Sequence, residues 1–239
     1  MNPQIVIDAL TATAAFGQVA AAPVSVGKPS IDTGKAIKGL LRNRFSGNFD
    51  PLTLGDAPAH PSMVYQLVSS GWLRLFGHAI VHTDHYVFYL RTESYAELIT
   101  TAHAVVTDIE ASSYAIEVTD MLVDYDDQQK LYRCNMEIAF TQPAGEGSLP
   151  AALVYPLAIE STETAYDNCD EQLQTNRYGV AVLTKNNDLH ALVATSTSAL
   201  QGLQETSEHH PMQHQSGEPM ETPGSLAMWN SVFFDRVTK

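Results

Sequence analysis

The chain has 239 residues, 44% of them hydrophobic and 17% charged, enough apolar material for a packed core and too much for a disordered polymer. Thirteen Lys and Arg against 27 Asp and Glu leave a formal charge of -14, which excludes a dedicated nucleic-acid surface and argues equally against docking on anionic lipid. Two cysteines, Cys134 and Cys169, exclude a disulfide scaffold and read as free thiols, and no apolar run approaches the roughly 20 residues that span a bilayer.

Ile5, Ala9, Ala12, Phe16 and Val19 recur at helical spacing, so residues 1–21 are expected to form an N-terminal helix that Pro23 stops. The same stretch superficially resembles an export signal, but no cation precedes Lys28 and Asp8 falls inside it, so a cytoplasmic chain is expected. Residues 22–60 read as a Gly/Pro-rich basic arm with one helix over 35–44. Lys28, Lys35, Lys38, Arg42 and Arg44 oppose only Asp32 there, a local charge of +4, so the arm is a candidate to dock on an acidic neighbour, including another copy of the chain.

Strands follow at 63–68 and 86–90, with Ser69, Ser70 and Gly71 expected to mark a turn and a further strand or hairpin over 72–81 broken near Gly77. Leu98, Ala102, Val105 and Ile109 predict a helix over 94–111. Residues 116–125 and 131–140 predict a hairpin around the polar turn 126–130, and TQPAGEGS, residues 141–148, reads as a linker.

Beyond the linker the pattern begins again. Val64-Tyr65 recurs as Val154-Tyr155, 90 positions on, and Tyr86-Val87 returns as Tyr178 and Val180, with Tyr86 and Tyr178 92 apart. A helix over 189–203 and a closing aromatic strand over 228–234 complete a second copy, so the sequence predicts a tandem duplication. The expected fold class is α+β, with two similar domains, each a mainly antiparallel or mixed sheet packed against helices. The first covers 61–141 together with 1–21, residues 142–149 link them, and the second covers 150–239.

The sequence carries no GxSxG, no P-loop, no glycine-rich dinucleotide turn and no HExxH. His82, Asp84 and His85 form a partial metal-ligand pattern, but the expected reading is a hairpin end in solvent with no bound metal and no cofactor. His209, His210 and His214 fall in a Pro/Gly/Glu-rich stretch expected to be a loop. Asp120, Asp124, Asp126 and Asp127 lack the spacing and central glycine of a calcium loop and read as a solvated hairpin tip. The run Val87, Phe88, Tyr89, Leu90 cannot turn every side chain into one core, so some aromatic surface is expected to face outward and favour assembly.

LPAALVYPLAIES (149–161), QTNRYGVAVLTKN (174–186) and AMWNSVFFD (227–235), with HPSMVYQLVSS, HTDHYVFYLRTESYAEL and LYRCNMEIAFTQ in the first half, resemble the tail terminator (tail completion) proteins of long-tailed bacteriophages. The second half is most similar to the version found in Mu-like phages. The shared order is a Pro-led strand, a strand of alternating apolar residues, a helix and a final strand. The resemblance implies a non-enzymatic virion protein of the tail or neck, assembled in the host cytoplasm. Such a protein forms a ring on the tail tube protein, ends tube polymerisation, and meets a head-tail connector or stopper protein. Genome DNA would pass through its lumen without specific binding, and no membrane is involved. The doubled domain and the basic arm depart from the usual member, so the ring is expected to be a trimer or hexamer, three two-domain chains supplying six similar positions. The alternatives are another head-tail neck or completion protein and, more remotely, a small metal-dependent hydrolase using His82, Asp84 and His85.

Overall fold

A computed structural model describes residues 2–24, 31–45, 48–51, 58–145, 147–163, 172–185, 187–222 and 225–238. The elements run α1 (Pro3–Ala12), β1 (Gln18–Ala21), α2 (Ile31–Leu41), β2 (Phe49–Pro51), β3 (Ser62–Leu75), β4 (His78–Thr92), α3 (Tyr95–Glu110), β5 (Ala115–Asp126), β6 (Leu131–Pro143), β7 (Ala151–Glu163), β8 (Gln172–Thr184), α4 (Leu189–Leu200), β9 (Gln213–Met220) and β10 (Ala227–Thr238). They build an α+β molecule with two five-stranded mixed sheets, ordered β1-β7-β8-β10-β9 and β2-β3-β4-β6-β5.

The two sheets have one topology. Each starts with a helix and a short strand parallel to the first long strand (β1 on β7, β2 on β3), continues into a long hairpin, crosses by a helix and returns as a second hairpin. Two irregularities of each unit coincide as well. In both long hairpins the register shifts after the residue paired to the recurring tyrosine, between Leu67 and Ser69 opposite Tyr86 and between Pro156 and Ala158 opposite Tyr178. In both second hairpins the penultimate strand skips one residue, Thr119 in β5 and Gln215 in β9. A bulge is a specific local solution, so four matched bulges make the two units copies in structure as well as in sequence.

The organisation is nested, not tandem. Residues 31–143 form an inserted unit between β1 and β7 of a host unit that holds α1, β1, β7, β8, α4, β9 and β10. The expected placement of residues 1–21 in the first domain is therefore corrected: Val6 and Leu10 of α1 are fully buried with Val154, Val180 and Leu192 of the host. The expected helix over 1–21 is also shorter. Asn2 caps it by accepting from the Gln4 N–H at 2.9 Å, Pro3 occupies the first turn, and Ala14 at φ 54 ends it, freeing Gln18–Ala21 to pair with Ala151–Val154. The chain leaves and re-enters the host at neighbouring points. The Gln18 amide donates to the Ala144 carbonyl at 2.7 Å, and the Ala79 N–H to that of Pro23 at 2.8 Å.

The described part of the expected arm is integral to the inserted unit. Ile37, Leu41, Phe45 and Phe49 are buried with Tyr65, Phe88, Leu98 and Val105, so apolar spacing outweighs the Gly/Pro composition of the segment. No turn forms at 69–71. β3 runs through to Leu75 and the chain reverses at Phe76-Gly77, both at positive φ. α3 begins at a Ser94-x-x-Glu97 cap, with Ser94 accepting the Glu97 N–H at 3.2 Å, and its four predicted stripe residues are all fully buried. In α4 the polar stripe member Ser196 is also buried, its hydroxyl donating to the Val193 carbonyl at 2.9 Å.

Helices cover one face of each sheet. On the host's other face lies a third core, where the far end of the β3–β4 hairpin (Leu73, Leu75, Ala79, Val81) packs on Leu153, Tyr155, Ala181, Leu183 and Met228.

Candidate interaction surface

The structure brings two of the three metal-candidate residues together and separates the third. His82 and Asp84 point to one side of β4, each 1% exposed, with His82 Nε2 3.2 Å from Asp84 Oδ1. His85 and Thr83 line the opposite side, on a groove with Ser69 and Gly71. The expected solvent-facing hairpin end is thus corrected: these residues lie in the middle of a central strand, flanked by β3 and β6. The His82 ring stacks 4.4 Å from Trp72, and Ser70 Oγ lies 2.9 Å from the same Nε2. Serine and carboxylate converge on one ring nitrogen, whereas a catalytic relay sets them on opposite nitrogens. Burial alone would raise the Asp84 carboxyl, but hydrogen bonds with His82, Ser70 and Thr33 outweigh it and hold the group below its usual value. Thr33 belongs to α2, so this cluster ties the helix layer to the sheet. The host places Gln174 and Asn176 at the matching positions, bonded side chain to side chain at 2.8 Å. A polar pair at this level is therefore part of the repeated architecture, histidine with aspartate in one copy and glutamine with asparagine in the other.

Of the histidine-rich stretch, His209 and His210 lie in the expected loop between α4 and β9, whereas His214 is corrected to a strand residue. His214 lies in β9 with its ring 5.1 Å from Phe233, and His209 bridges Val237 and holds the fully buried Asp235 through Nδ1 at 2.6 Å. Among the described residues no three His, Cys, Asp or Glu side chains converge as a metal-binding group. Cys134 is buried, and burial pushes its thiol up; Cys169 lies outside the described residues.

Among the basic residues proposed for docking, Lys38 pairs with Asp50 at 3.2 Å and Arg44 with Asp108 at 2.6 Å. Lys35 and Arg42 are exposed on the same segment, and Lys28 lies outside the described residues. At the β5–β6 tip Asp126 accepts the N–H groups of Gln129 and Gln128 at 3.1 and 2.9 Å and pairs with Arg133. The Gln129 bond leads in holding its carboxyl below the usual value, against a smaller opposing effect of burial.

The contrast between the two non-helical sheet faces is the feature that sequence reading missed. Bulge-matched positions pair Leu153 with Val64, Tyr155 with Gln66, Ala181 with Tyr89, Leu183 with Arg91 and Met228 with Arg133. Every host residue in these pairs is buried and none of its counterparts is. The inserted unit thus presents an open face, with Tyr89 37% and Leu122 60% exposed around a 270 Å³ groove that also touches Arg91, Asp124, Arg133 and Asn135. Alternation of Arg133, Asn135 and Glu137 in β6 was the available signal that one side of this sheet is polar.

Compared with known protein families and with curated proteins, the chain matches none. Among the described residues no helix is long and apolar enough to cross a membrane.

Proposed function

We propose that this protein is a structural component of a long-tailed phage particle, closing into a ring that caps the tail tube, ends its growth and joins it to the head connector. The observation that carries the reading is the element order, present twice: Pro61 and Pro150 lead β3 and β7, an alternating strand follows (β4, β8), then a helix (α3, α4) and a final strand (β6, β10). That is the order shared by the tail terminators the sequence resembles.

The physical logic supports it. A protein that stops a polymer works by closing on itself laterally and offering one matching face to the tube. Two similar units in one chain suit a trimer that supplies six near-equivalent positions. A charge of -14 suits walls past which duplex DNA slides without sticking. Negative-stain microscopy of the purified protein tests the ring directly, and removing the protein from an assembling particle tests the role: tubes should overrun their length and fail to join heads. Tubes of normal length joined to heads without it would end this reading.

A further inference from the structure

The outer half of β5 stands clear of the core on both faces. β5 is the last strand of its sheet, with β6 as its neighbour. Every residue from 119 to 125 is exposed, and Met121, Leu122, Val123 and Tyr125 are between 36% and 60% exposed. Leu122 faces the open side. Met121, Val123 and Tyr125 alternate to the helix side, where the Tyr125, Tyr132 and Tyr95 rings follow one another at 4.8 and 5.9 Å. A long apolar edge of this kind is a template for another strand. The equivalent edge of the host is not: β9 reads QHQSGEPM, with no exposed large hydrophobic residue and with Pro219, which has no N–H to offer.

The hydrogen bonds show which backbone atoms face out. The Met121 and Tyr125 N–H groups donate at 2.7 Å to the carboxylates of Asp120 and Asp124, each the residue just before, and not to β6. The odd-numbered residues of this stretch therefore aim their backbone groups away from β6, and side chains stand in for a strand. Strand β5 carries Glu117, Asp120, Asp124 and Asp126 and no Lys or Arg. Arg133, the cation across from Asp124, is engaged with Asp126, and among the described residues Asp120 and Asp124 form no ion pair.

Those charges decide what can dock. A second copy of β5, paired antiparallel about Leu122, Val123 or Asp124, would set Asp120 on Asp124, Asp120 on Asp126 or Asp124 on itself. Like charges directly across a ladder are destabilising. We propose that β5 instead receives an extended segment of another protein, one that reads Lys or Arg, three apolar residues, then Lys or Arg. Paired antiparallel, its cations stand across from Asp124 and Asp120 and draw these carboxylates off the Met121 and Tyr125 N–H groups, which then donate to the incoming strand. Its apolar residues stand across from Met121, Leu122 and Val123, and those on the helix side extend the tyrosine cluster. An uncharged apolar strand would desolvate Asp120 and Asp124 without pairing them, so the acids select as well as attract. This site goes beyond the ring and does not depend on it.

The test uses the full chain and a fluorescein-labelled peptide, TKVLVKT, read by anisotropy at low ionic strength. Replacing both peptide lysines by glutamate should weaken binding at least about ten-fold, and methylating the peptide nitrogens that face β5 should do the same. Asp120→Lys with Asp124→Lys should exchange the preference, taking the glutamate peptide in place of the lysine one, which an unfolded variant could not do. Val123→Pro removes an outward N–H and no bond to β6, so binding should fall by a similar factor at an unchanged melting temperature. Equal binding of the two peptides, indifference to backbone methylation, or no binding of either would overturn the proposal and leave the ring standing. Wild-type chains that pair with one another and come apart on Val123→Pro would overturn it in favour of a second copy.

Discussion

Gly179 is the position where a single methyl group should be felt most. The Tyr155 ring lies flat on it, and a Cβ built there would come within 2.6 Å of the phenolic oxygen and closer still to the ring carbons. The ring has nowhere to retreat: it is fully buried between the host sheet and the inserted hairpin, and its hydroxyl donates to Asn230 Oδ1 at 2.6 Å. Gly179→Ala therefore forces overpacking, about 1–3 kcal/mol. It also displaces the hydroxyl from a buried acceptor, about 1–3 kcal/mol more. A combined loss of about 4 kcal/mol corresponds to a melting temperature lower by about 8–16 °C for a chain of this size. Urea unfolding followed by tryptophan fluorescence would read it, with Tyr155→Leu as the partner in a double-mutant cycle. With the ring gone the alanine should be nearly free, so the two losses should be strongly non-additive. A Gly179→Ala protein that melts within about 2 °C of wild type, or additive losses, would refute the account. The inserted unit supplies an internal control, since it carries Val87 at the matching site and Gln66 where the tyrosine would be.

Asp84 has its carboxyl held below the usual value in the folded state, so it favours folding above the unfolded value near pH 4, and that contribution drains away as the pH falls below it. Asp84→Asn should flatten the acid limb of a stability-against-pH curve, and an unchanged limb would show the His82–Ser70–Thr33 cluster to be inert. At the alkaline end the sign reverses. Burial pushes the hydroxyls of Tyr86 and Tyr155 up to about 12, so unfolded chains ionise first and stability should fall between about pH 10 and 12, visible as phenolate absorbance appearing in two stages. Arg44→Ala breaks a half-exposed pair with Asp108 and should cost no more than about 1 kcal/mol in thermal unfolding, because water screens such pairs. A markedly larger loss would mean that the pair anchors α2 to α3.

The duplication was legible because spacing survives divergence: order and length of strand, strand, helix and strand are set by the fold, while the residues filling them drift. Its register was not. The repeated Val-Tyr pair matches the units at an offset of 90, yet the bulges and the leading prolines set the offset in the first strand at 89. One residue in a strand exchanges the two faces. Tyr65 packs under the helices, whereas Tyr155 lies on the opposite side of its sheet against the inserted hairpin. The nested connection was invisible for a related reason. β1 is four residues long and pairs with a strand some 130 positions away, and no local pattern records so distant a partner. The α3 stripe, by contrast, is local and was read to the residue. The solvent-facing hairpin end expected for His82 and Asp84 fails because a buried His–Asp pair and an exposed one look alike in sequence.

Nesting one unit inside the other imposes an order on synthesis. When α1 and β1 leave the ribosome, their partners β7 and α4 are not yet made, and the strand that seats Val19 against Ala152 must wait for the whole inserted unit. The inserted unit has all its own strands and both its helices in sequence and can close first, which brings residues 22–24 and 144 together and turns a distant pairing into a near one. Its greasy hairpin tip, with Leu73, Leu75 and Val81, then stands as a ready template on which the late strands of the host condense.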